Sequence, residues 1–107
     1  MLEQQMLFFR TNSADLSNFM LLDRMVMFLK GNPNYRLIVN GHADSEDREQ
    51  APGYLSQLRA ERVKRYLLDS GVPLQQVAVR GYSNREPLMN ANSPTENQRV
   101  VFRLEAY

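Results

Sequence analysis

Apolar residues recur along this chain in two periods, one typical of strands and one typical of helices. The apolar run at 6–9 predicts a first strand, and the polar residues 11–15 favour a turn and a helix start. From about 16 to 30 the apolar residues return at helical spacing, and Gly-Asn-Pro at 31–33 ends this helix. Residues 35–40 alternate and carry β-branched side chains, which predicts a second strand.

The rest of the chain repeats this order of elements. Residues 55–69 have the spacing of a second helix, which Ser-Gly at 70–71 ends. Residues 76–80 predict a third strand, the Asn-, Ser- and Pro-rich residues 82–97 predict a loop, and 100–104 predict a last strand. The order β-α-β-α-β-loop-β favours an α+β fold. It would be a two-layer α/β sandwich whose helices cover a mixed four-stranded sheet with an antiparallel last strand.

The composition narrows the possible partners. The 107 residues, of which 43% are hydrophobic and 23% charged, fit one compact domain spanning 1–107. A formal net charge of +1 lacks the long-range field typical of proteins that bind nucleic acid or anionic membranes. The absence of cysteine excludes disulfides, thiolate metal sites and a cysteine nucleophile, and no cofactor or metal is expected. No stretch resembles a signal peptide or a membrane span, so we expect no direct membrane insertion by this domain.

One charged residue lies in the apolar stripe of the second predicted helix. On a helical wheel with about 100° per residue and Leu55 at zero, Val63 falls near 80° and Leu67 near 120°. Arg59 falls near 40°, inside this stripe. A guanidinium keeps its charge, and moving it out of water without a partner costs several kcal/mol. Arg59 therefore requires a nearby anion or a water-filled opening.

Asp44 is the best candidate for that anion. It follows the second predicted strand directly, and open α/β sheets bind ligands at the carboxyl ends of their strands. The helix that returns from the next loop brings Arg59 to the same edge. One carboxylate and one bidentate guanidinium fork suit a zwitterion that bears an ammonium and a carboxylate. A structural ion pair between the two side chains fits the same spacing.

Four ordered motifs stand out along the chain: Gly-His-Ala-Asp at 41–44, Leu-Ser-Gln-Leu-Arg-Ala-Glu-Arg-Val at 55–63, Gly-Tyr at 81–82 and Asn-Gln-Arg-Val at 97–100. Together they resemble the OmpA-like C-terminal domain, a peptidoglycan-binding family. The family typically carries GHTD, N-x-x-L-S-x-x-R-A-x-x-V-x-x-x-L and NRRV, and it includes domains of flagellar stator proteins and peptidoglycan-associated lipoproteins. The resemblance covers residues 7–104.

This resemblance implies both a function and a site. Asp44 would accept hydrogen bonds from the ammonium of diaminopimelate, the stem-peptide residue of Gram-negative walls, and Arg59 would pair with its carboxylate. Further residues expected to line or support the site are Ala43, Leu55, Ser56 and Arg99. The chain would be a non-enzymatic anchor in the periplasm of a Gram-negative bacterium, holding a larger parent envelope protein to peptidoglycan. An ordinary edge-strand arginine is the alternative for Arg99.

Three positions depart from the family motifs. Ala43 stands where the family usually has Thr, Pro52 where it has Asn, and Gln98 where it has the first Arg of NRRV. Each departure removes a polar group, and losing a hydrogen bond to a charged group typically costs about 1.5–3 kcal/mol. The second interpretation is therefore a degenerate module with weak or no peptidoglycan binding that serves contact between proteins in an envelope assembly.

The first predicted helix carries apolar residues on two sides. Its inner face is formed by Phe19, Leu22, Val26 and Leu29. The apolar residues that lie away from this face are Met20, Leu21, Met27 and Phe28. Such a patch favours a homodimer or an envelope protein partner, and cover by the chain's own N-terminal segment or long loop fits it equally.

No constellation for catalysis is predicted. His42 is the only histidine, and its place beside a strand end is more typical of a structural hydrogen bond than of a base. The acids at 46, 47 and 49 lie in a polar loop that contains Arg48, which is typical of solvated charge. Ser56 lacks a G-x-S-x-G elbow, so a peptidoglycan hydrolase is disfavoured.

Overall fold

Four strands and two α-helices make up the part of the chain that the computed structural model describes, residues 6–10, 13–42, 54–81 and 99–106. The strands are β1 (Met6–Phe8), β2 (Tyr35–Gly41), β3 (Val77–Gly81) and β4 (Arg99–Ala106). The helices are α1 (Phe19–Gly31) and α2 (Tyr54–Asp69), and a 3-10 turn at Leu74–Gln76 precedes β3. Neither α-helix is both long and apolar enough to cross a bilayer. The predicted loop at 82–97 lies outside the described residues.

The strands form one mixed sheet in the order β1-β4-β2-β3. β4 lies between β1 and β2 and is antiparallel to both, whereas β3 is parallel to β2. Parallel neighbours need a crossover connection, and α2 lies in the one between β2 and β3. The predicted mixed four-stranded sheet with an antiparallel last strand is confirmed.

One face of the sheet and both helices share a single core. Alternate residues of β2 and β4 are fully buried in it, among them Val39 and Phe102, both 0% exposed. Val63 and Leu67 on α2 and Leu22 on α1 belong to the same cluster. Burying a large apolar side chain contributes about 1.5–3 kcal/mol, so this cluster holds helices and sheet together as the predicted two-layer sandwich.

α1 begins three residues later than its apolar pattern predicts. Asn18 has a left-handed conformation, with φ 50° and ψ 54°, which asparagine tolerates better than most residues. Its Oδ1 accepts a hydrogen bond from the backbone N–H of Leu21 at 3.4 Å and caps the helix there. Residues 13–18 are therefore not helical, and the carbonyl oxygen of Ser13 is left for a donor outside the helix.

The predicted outer patch of α1 is smaller than expected. Leu21 is only 3% exposed and Phe28 is half-buried against the core, so the domain itself covers this part of the patch. With about 100° per residue, the buried residues of α1 span an arc of about 140°, which is wider than the predicted inner face. Phe19 lies at the margin of this arc and is 48% exposed. Of the predicted patch, Met20 and Met27 remain exposed.

Candidate functional site

Arg59 is the largest fully buried side chain of the described residues, with 0% exposure. It lies on the face of α2 that packs against the sheet, together with Val63 and Leu67, both also 0% exposed. The prediction that Arg59 lies within an apolar stripe is confirmed. A buried cation requires hydrogen-bond acceptors around it.

Three backbone carbonyl oxygens accept hydrogen bonds from the Arg59 guanidinium. Nε donates to the oxygen of Ser13 at 2.7 Å, and Nη2 donates to the oxygen of Arg10 at 3.0 Å. Nη1 donates to the oxygen of His42, also at 3.0 Å, directly after β2. Arg59 thus joins α2 to the end of β2 and to the segment between β1 and α1. Carbonyl oxygens solvate the charge but, being neutral, do not cancel it.

The ring of Phe9 lies against the same guanidinium. Cζ of Arg59 stands over the ring at 5.2 Å from its centroid, a distance typical of cation–π attraction. Phe9 is itself 7% exposed, so water screens this attraction little. Arg59 therefore has four neutral partners, three carbonyls and one ring. The sequence pattern predicts an anion in addition to them.

His42 links the end of β2 to the start of β4. Its backbone N–H donates to the carbonyl oxygen of Arg99 at 2.7 Å. Burial, and then the positive charge of Arg99, lower the pKa of His42 from 6.5 to about 4, so the imidazole is neutral at neutral pH. This environment agrees with the predicted structural role of His42.

Gly41 allows the first turn of α2 to lie directly on β2. A Cβ at this position would be 1.8 Å from the carbonyl oxygen of Ser56 and 3.2 Å from Cβ of Ala60. Any side chain here would displace the helix. Leu55 and Ser56 are themselves buried, at 5% and 0% exposure. This close approach brings the turn that carries Arg59 to the carboxyl end of β2.

Arg99 lies in the interior of the sheet. It is the first residue of β4, which pairs with β1 on one side and β2 on the other, and it is 4% exposed. The alternative of an ordinary edge-strand arginine is wrong, because the last strand in the sequence is central in the sheet. Both arginines contact the backbone of His42. The carbonyl oxygen of Arg99 accepts from the His42 N–H, and the guanidinium of Arg59 donates to the His42 carbonyl oxygen.

The other predicted site residues, Asp44 and Ala43, lie outside the described residues, as do Pro52 and Gln98. The described chain runs to His42, two residues before Asp44. The pairing of Asp44 with Arg59 stays a prediction.

Sequence reasoning did not identify Phe9 or the carbonyls of Arg10 and Ser13 as part of the site. Phe9 belongs to the apolar run that predicts β1, and its spacing is that of a core residue. Backbone oxygens have no side-chain signature. One signal was available, which is Asn18, a good helix cap that lies inside the predicted helix. If α1 begins after Asn18, the carbonyls before it accept no hydrogen bonds within the helix.

The described side chains suit anion binding better than catalysis. The described residues include no group of three or more side chains that could hold a metal ion. Arg59 and Arg99 are buried guanidinium groups, and His42 is neutral and buried. A fixed guanidinium in a dry setting is a group that recognises a carboxylate.

Comparison with known proteins gives the family. The model of the OmpA family matches residues 8–100. The peptidoglycan-associated lipoprotein of Buchnera aphidicola is 34% identical over 83 residues, which cover 75% of this chain and 48% of the lipoprotein. The sodium-type flagellar protein MotY of Vibrio parahaemolyticus is 32% identical over 71 residues, which cover 64% of this chain and 24% of MotY. This chain spans about half the length of the lipoproteins it matches.

Solved structures have the same fold. The peptidoglycan-associated lipoprotein from Burkholderia pseudomallei superposes with a TM-score of 0.81 at 22% identity, covering 95% of this chain and 91% of that chain. The C-terminal domain of Helicobacter pylori MotB gives 0.83 at 19% identity, covering 96% and 85%. None of these relatives is named as an enzyme.

Proposed function

The chain belongs to the OmpA family, and on this premise we propose that it binds peptidoglycan without covalent chemistry. The group it recognises is the diaminopimelate of the stem peptide, whose side chain ends in an ammonium and a carboxylate. Asp44 accepts hydrogen bonds from the ammonium, and Arg59 pairs with the carboxylate. The residues around this pair are Ala43, Leu55, Ser56 and Arg99.

The position of Arg59 at the carboxyl end of β2 is the observation that carries this proposal. Its Nη1 donates to the carbonyl oxygen of His42, and Asp44 is two residues further along the chain. Because two residues of extended chain span at most about 7 Å, Asp44 cannot be far from the residue that Arg59 contacts. This limit supports one common site for the two side chains.

The electrostatics of the described residues also favour an anionic ligand. The carbonyls of Arg10, Ser13 and His42 orient the guanidinium of Arg59 but leave its charge in place. A charge acts more strongly on an incoming carboxylate in a buried setting than in water. Because the guanidinium is already oriented, little conformational freedom is lost when the ligand binds.

The burial of Arg59 affects how the ligand arrives. Its side chain is 0% exposed in the free protein, so direct pairing requires the ligand to displace groups that cover the guanidinium. Association that needs such a step is slower than the usual range, which begins at about 10⁵ M⁻¹ s⁻¹. Stopped-flow mixing with a fluorescent muropeptide would measure this rate.

In the cell, such a module would hold a larger parent protein to the wall. The relatives named peptidoglycan-associated lipoproteins are about twice as long as the part this chain covers, 48% in one case and 49% in another. A binding module within a longer envelope protein has this proportion. The periplasm of a Gram-negative bacterium is the compartment where such a protein meets diaminopimelate-type peptidoglycan.

Co-sedimentation with purified diaminopimelate-type sacculi tests the proposal. We expect wild type in the pellet and at least a tenfold weaker association for Asp44→Asn and Arg59→Lys. Each variant loses charge-assisted hydrogen bonding of about 1.5–3 kcal/mol, and lysine keeps the charge of Arg59 without its planar fork. Arg65→Gln is the matched control, because the Arg65 side chain on the same helix is 79% exposed.

Wild type that stays in the supernatant refutes wall binding. If wild type pellets and both site variants pellet equally well, wall binding stands and the proposed pair is wrong. Thermal unfolding followed by circular dichroism should accompany each variant, so that lost folding is not read as lost binding.

Contact with another envelope protein is the second candidate function, and the exposure of two methionines favours it. Met20 and Met27 are 74% and 75% exposed and lie seven residues apart, on one side of α1. Methionine adapts readily to irregular partner surfaces. A homodimer through this side would show a concentration-dependent mass in sedimentation, and a Met20→Lys, Met27→Lys double variant would abolish it. A monomeric mass at every concentration would exclude the homodimer.

A further inference from the structure

We infer that Phe9 is a positioning residue for Arg59, and that it sets the affinity for the ligand carboxylate by fixing the plane of the guanidinium. The inference rests on the proposed function, because the ligand consequence requires that Arg59 pair with a carboxylate. Phe9 acts through Arg59 and not by touching the ligand.

The hydrogen bonds of Arg59 restrain its guanidinium mainly within one plane. Nε, Nη1 and Nη2 donate to the carbonyl oxygens of Ser13, His42 and Arg10, and all these N–H groups lie in the guanidinium plane. Such bonds still allow small tilts out of the plane, because a hydrogen bond weakens steeply only below about 120°. A partner above or below the plane restrains these tilts further.

The ring of Phe9 is in the position to provide that restraint. Cζ of Arg59 lies over the ring, 5.2 Å from its centroid. The electron-rich ring face attracts a cation, and the attraction is stronger when both groups are removed from water. The side chains of Phe9 and Arg59 are 7% and 0% exposed, so this condition is met.

The fold holds the ring in place. Phe9 follows β1 directly, and the last residue of β1, Phe8, pairs with Arg99 of β4. Phe9 also precedes Arg10, whose carbonyl oxygen accepts from Arg59. The ring and this acceptor therefore belong to one short segment that the sheet holds in place. Both contact the guanidinium from that segment.

A bidentate carboxylate contact depends on the tilt of the guanidinium. Two parallel N–H···O bonds form only when carboxylate and guanidinium are close to coplanar. Without the ring, the tilt would have to be fixed as the ligand binds, and part of the binding free energy would be lost to that ordering. The strength of a desolvated cation–π contact corresponds to a loss of about 5- to 30-fold in affinity.

A fluorinated series at Phe9 separates this electronic role from packing. Replacing ring hydrogens of Phe9 by fluorine, one and then three, withdraws charge from the ring face while changing its volume little. We expect Kd for a soluble diaminopimelate-containing muropeptide, measured by calorimetry, to rise stepwise to about 5- to 30-fold. The same series at Phe102, which is 0% exposed in the core, is the matched control and should leave Kd within about twofold of wild type.

Water exchange of the Arg59 Nε–H, followed by nuclear magnetic resonance without ligand, tests the positioning itself. The signal is assigned by its absence in Arg59→Lys, and we expect faster exchange in Phe9→Leu than in Phe102→Leu. A Kd that stays flat across the Phe9 series, or an unchanged exchange rate in Phe9→Leu, overturns the inference. If wild type fails to bind the muropeptide at all, the proposed function fails, and the exchange rate alone decides whether Phe9 positions Arg59.

Discussion

Two buried polar side chains hold the two ends of β2, and they differ in charge. At the carboxyl end, Arg59 donates to three backbone carbonyls. At the amino end, the Nε2 amide of Gln76 donates to the carbonyls of Leu29, Asn32 and Tyr35 at 3.0, 3.1 and 2.9 Å. Gln76 is 2% exposed and joins α1 to β2, much as Arg59 joins α2 to β2.

This difference in charge distinguishes a residue that stabilises the fold from one that is also proposed to bind the ligand. A neutral amide is enough to join the residues before β3 to the turn between α1 and β2, and burying an amide costs far less than burying a cation. Stability alone therefore does not require a guanidinium at the carboxyl end. We infer that Gln76 serves the fold, and that the charge of Arg59 serves the ligand in addition to the fold.

The largest expected effect comes from Arg59→Met. Methionine fills a similar volume but removes the donor from the buried carbonyl of His42 and from the carbonyl of Ser13, whereas the carbonyl of Arg10 keeps its bond from the Ser13 N–H. We expect the free energy of unfolding to fall by about 3–5 kcal/mol in urea titrations, together with loss of sacculus binding. A variant as stable as wild type would show that these three hydrogen bonds do not hold the site.

The next largest effect is expected on lowering the pH, which should reduce the free energy of unfolding through His42 at the carboxyl end of β2. The pKa of His42 is lowered in the folded protein from 6.5 to about 4, so between these values the unfolded chain binds the proton more readily. The stabilisation is complete above pH 6.5 and is lost as pH falls through this window to about 4, on the order of 3 kcal/mol in total.

His42→Asn isolates this acid effect, because it removes the titrating ring and keeps the backbone contacts to Arg59 and Arg99. The difference in unfolding free energy between wild type and variant should shrink or reverse as pH is lowered through the window. A difference that is constant with pH would mean that His42 does not titrate with folding.

Gly41→Ala should lower the free energy of unfolding by an amount similar to the acid effect. Its Cβ would fall 1.8 Å from the carbonyl oxygen of Ser56, so α2 must shift away from β2 and carry Arg59 with it. We expect a loss of about 3 kcal/mol and weaker sacculus binding. Gly31→Ala is the control, since nothing lies within 4 Å of the added methyl, and it should change stability by less than about 1 kcal/mol. Equal effects of the two substitutions would rule out the close approach.

Gln76→Leu gives the smallest effect of the set and sharpens the comparison most. Its loss should be about 2 kcal/mol, since the carbonyls it leaves are neutral and near a helix end. Affinity for sacculi should not change, because Gln76 lies at the end of β2 opposite to Arg59. A folded Gln76→Leu protein that no longer binds sacculi would contradict the inference that Gln76 serves only the fold.

Local patterns in the sequence were enough to predict β2, α2 and the place of Arg59. Alternation from 35 to 40 and helical spacing from 55 to 69 each depend on neighbours within one element, and the buried stripe that includes Val63 and Leu67 follows from them. The motif resemblance to the OmpA family likewise agrees with the family match over 8–100.

Features that depend on distant pairing could not be predicted in this way. The place of β4 between β1 and β2 is set by tertiary contacts, and it alone decides that Arg99 is interior. The start of α1 depends on the left-handed conformation of Asn18, and the burial of Leu21 depends on how much of the helix the rest of the domain covers. Phe9 and the carbonyl acceptors of Arg59 become visible only when three segments meet.

The most direct test of the proposed site is the affinity for two muropeptides that differ in one group. Lysine in place of diaminopimelate keeps the side-chain ammonium and removes the carboxylate that Arg59 is proposed to bind. By calorimetry we expect the diaminopimelate muropeptide to bind about 10- to 150-fold more tightly than the lysine form, the range that a lost charge-assisted hydrogen bond corresponds to. In Arg59→Lys this preference should largely disappear. Equal affinity of wild type for the two muropeptides would contradict the role of Arg59.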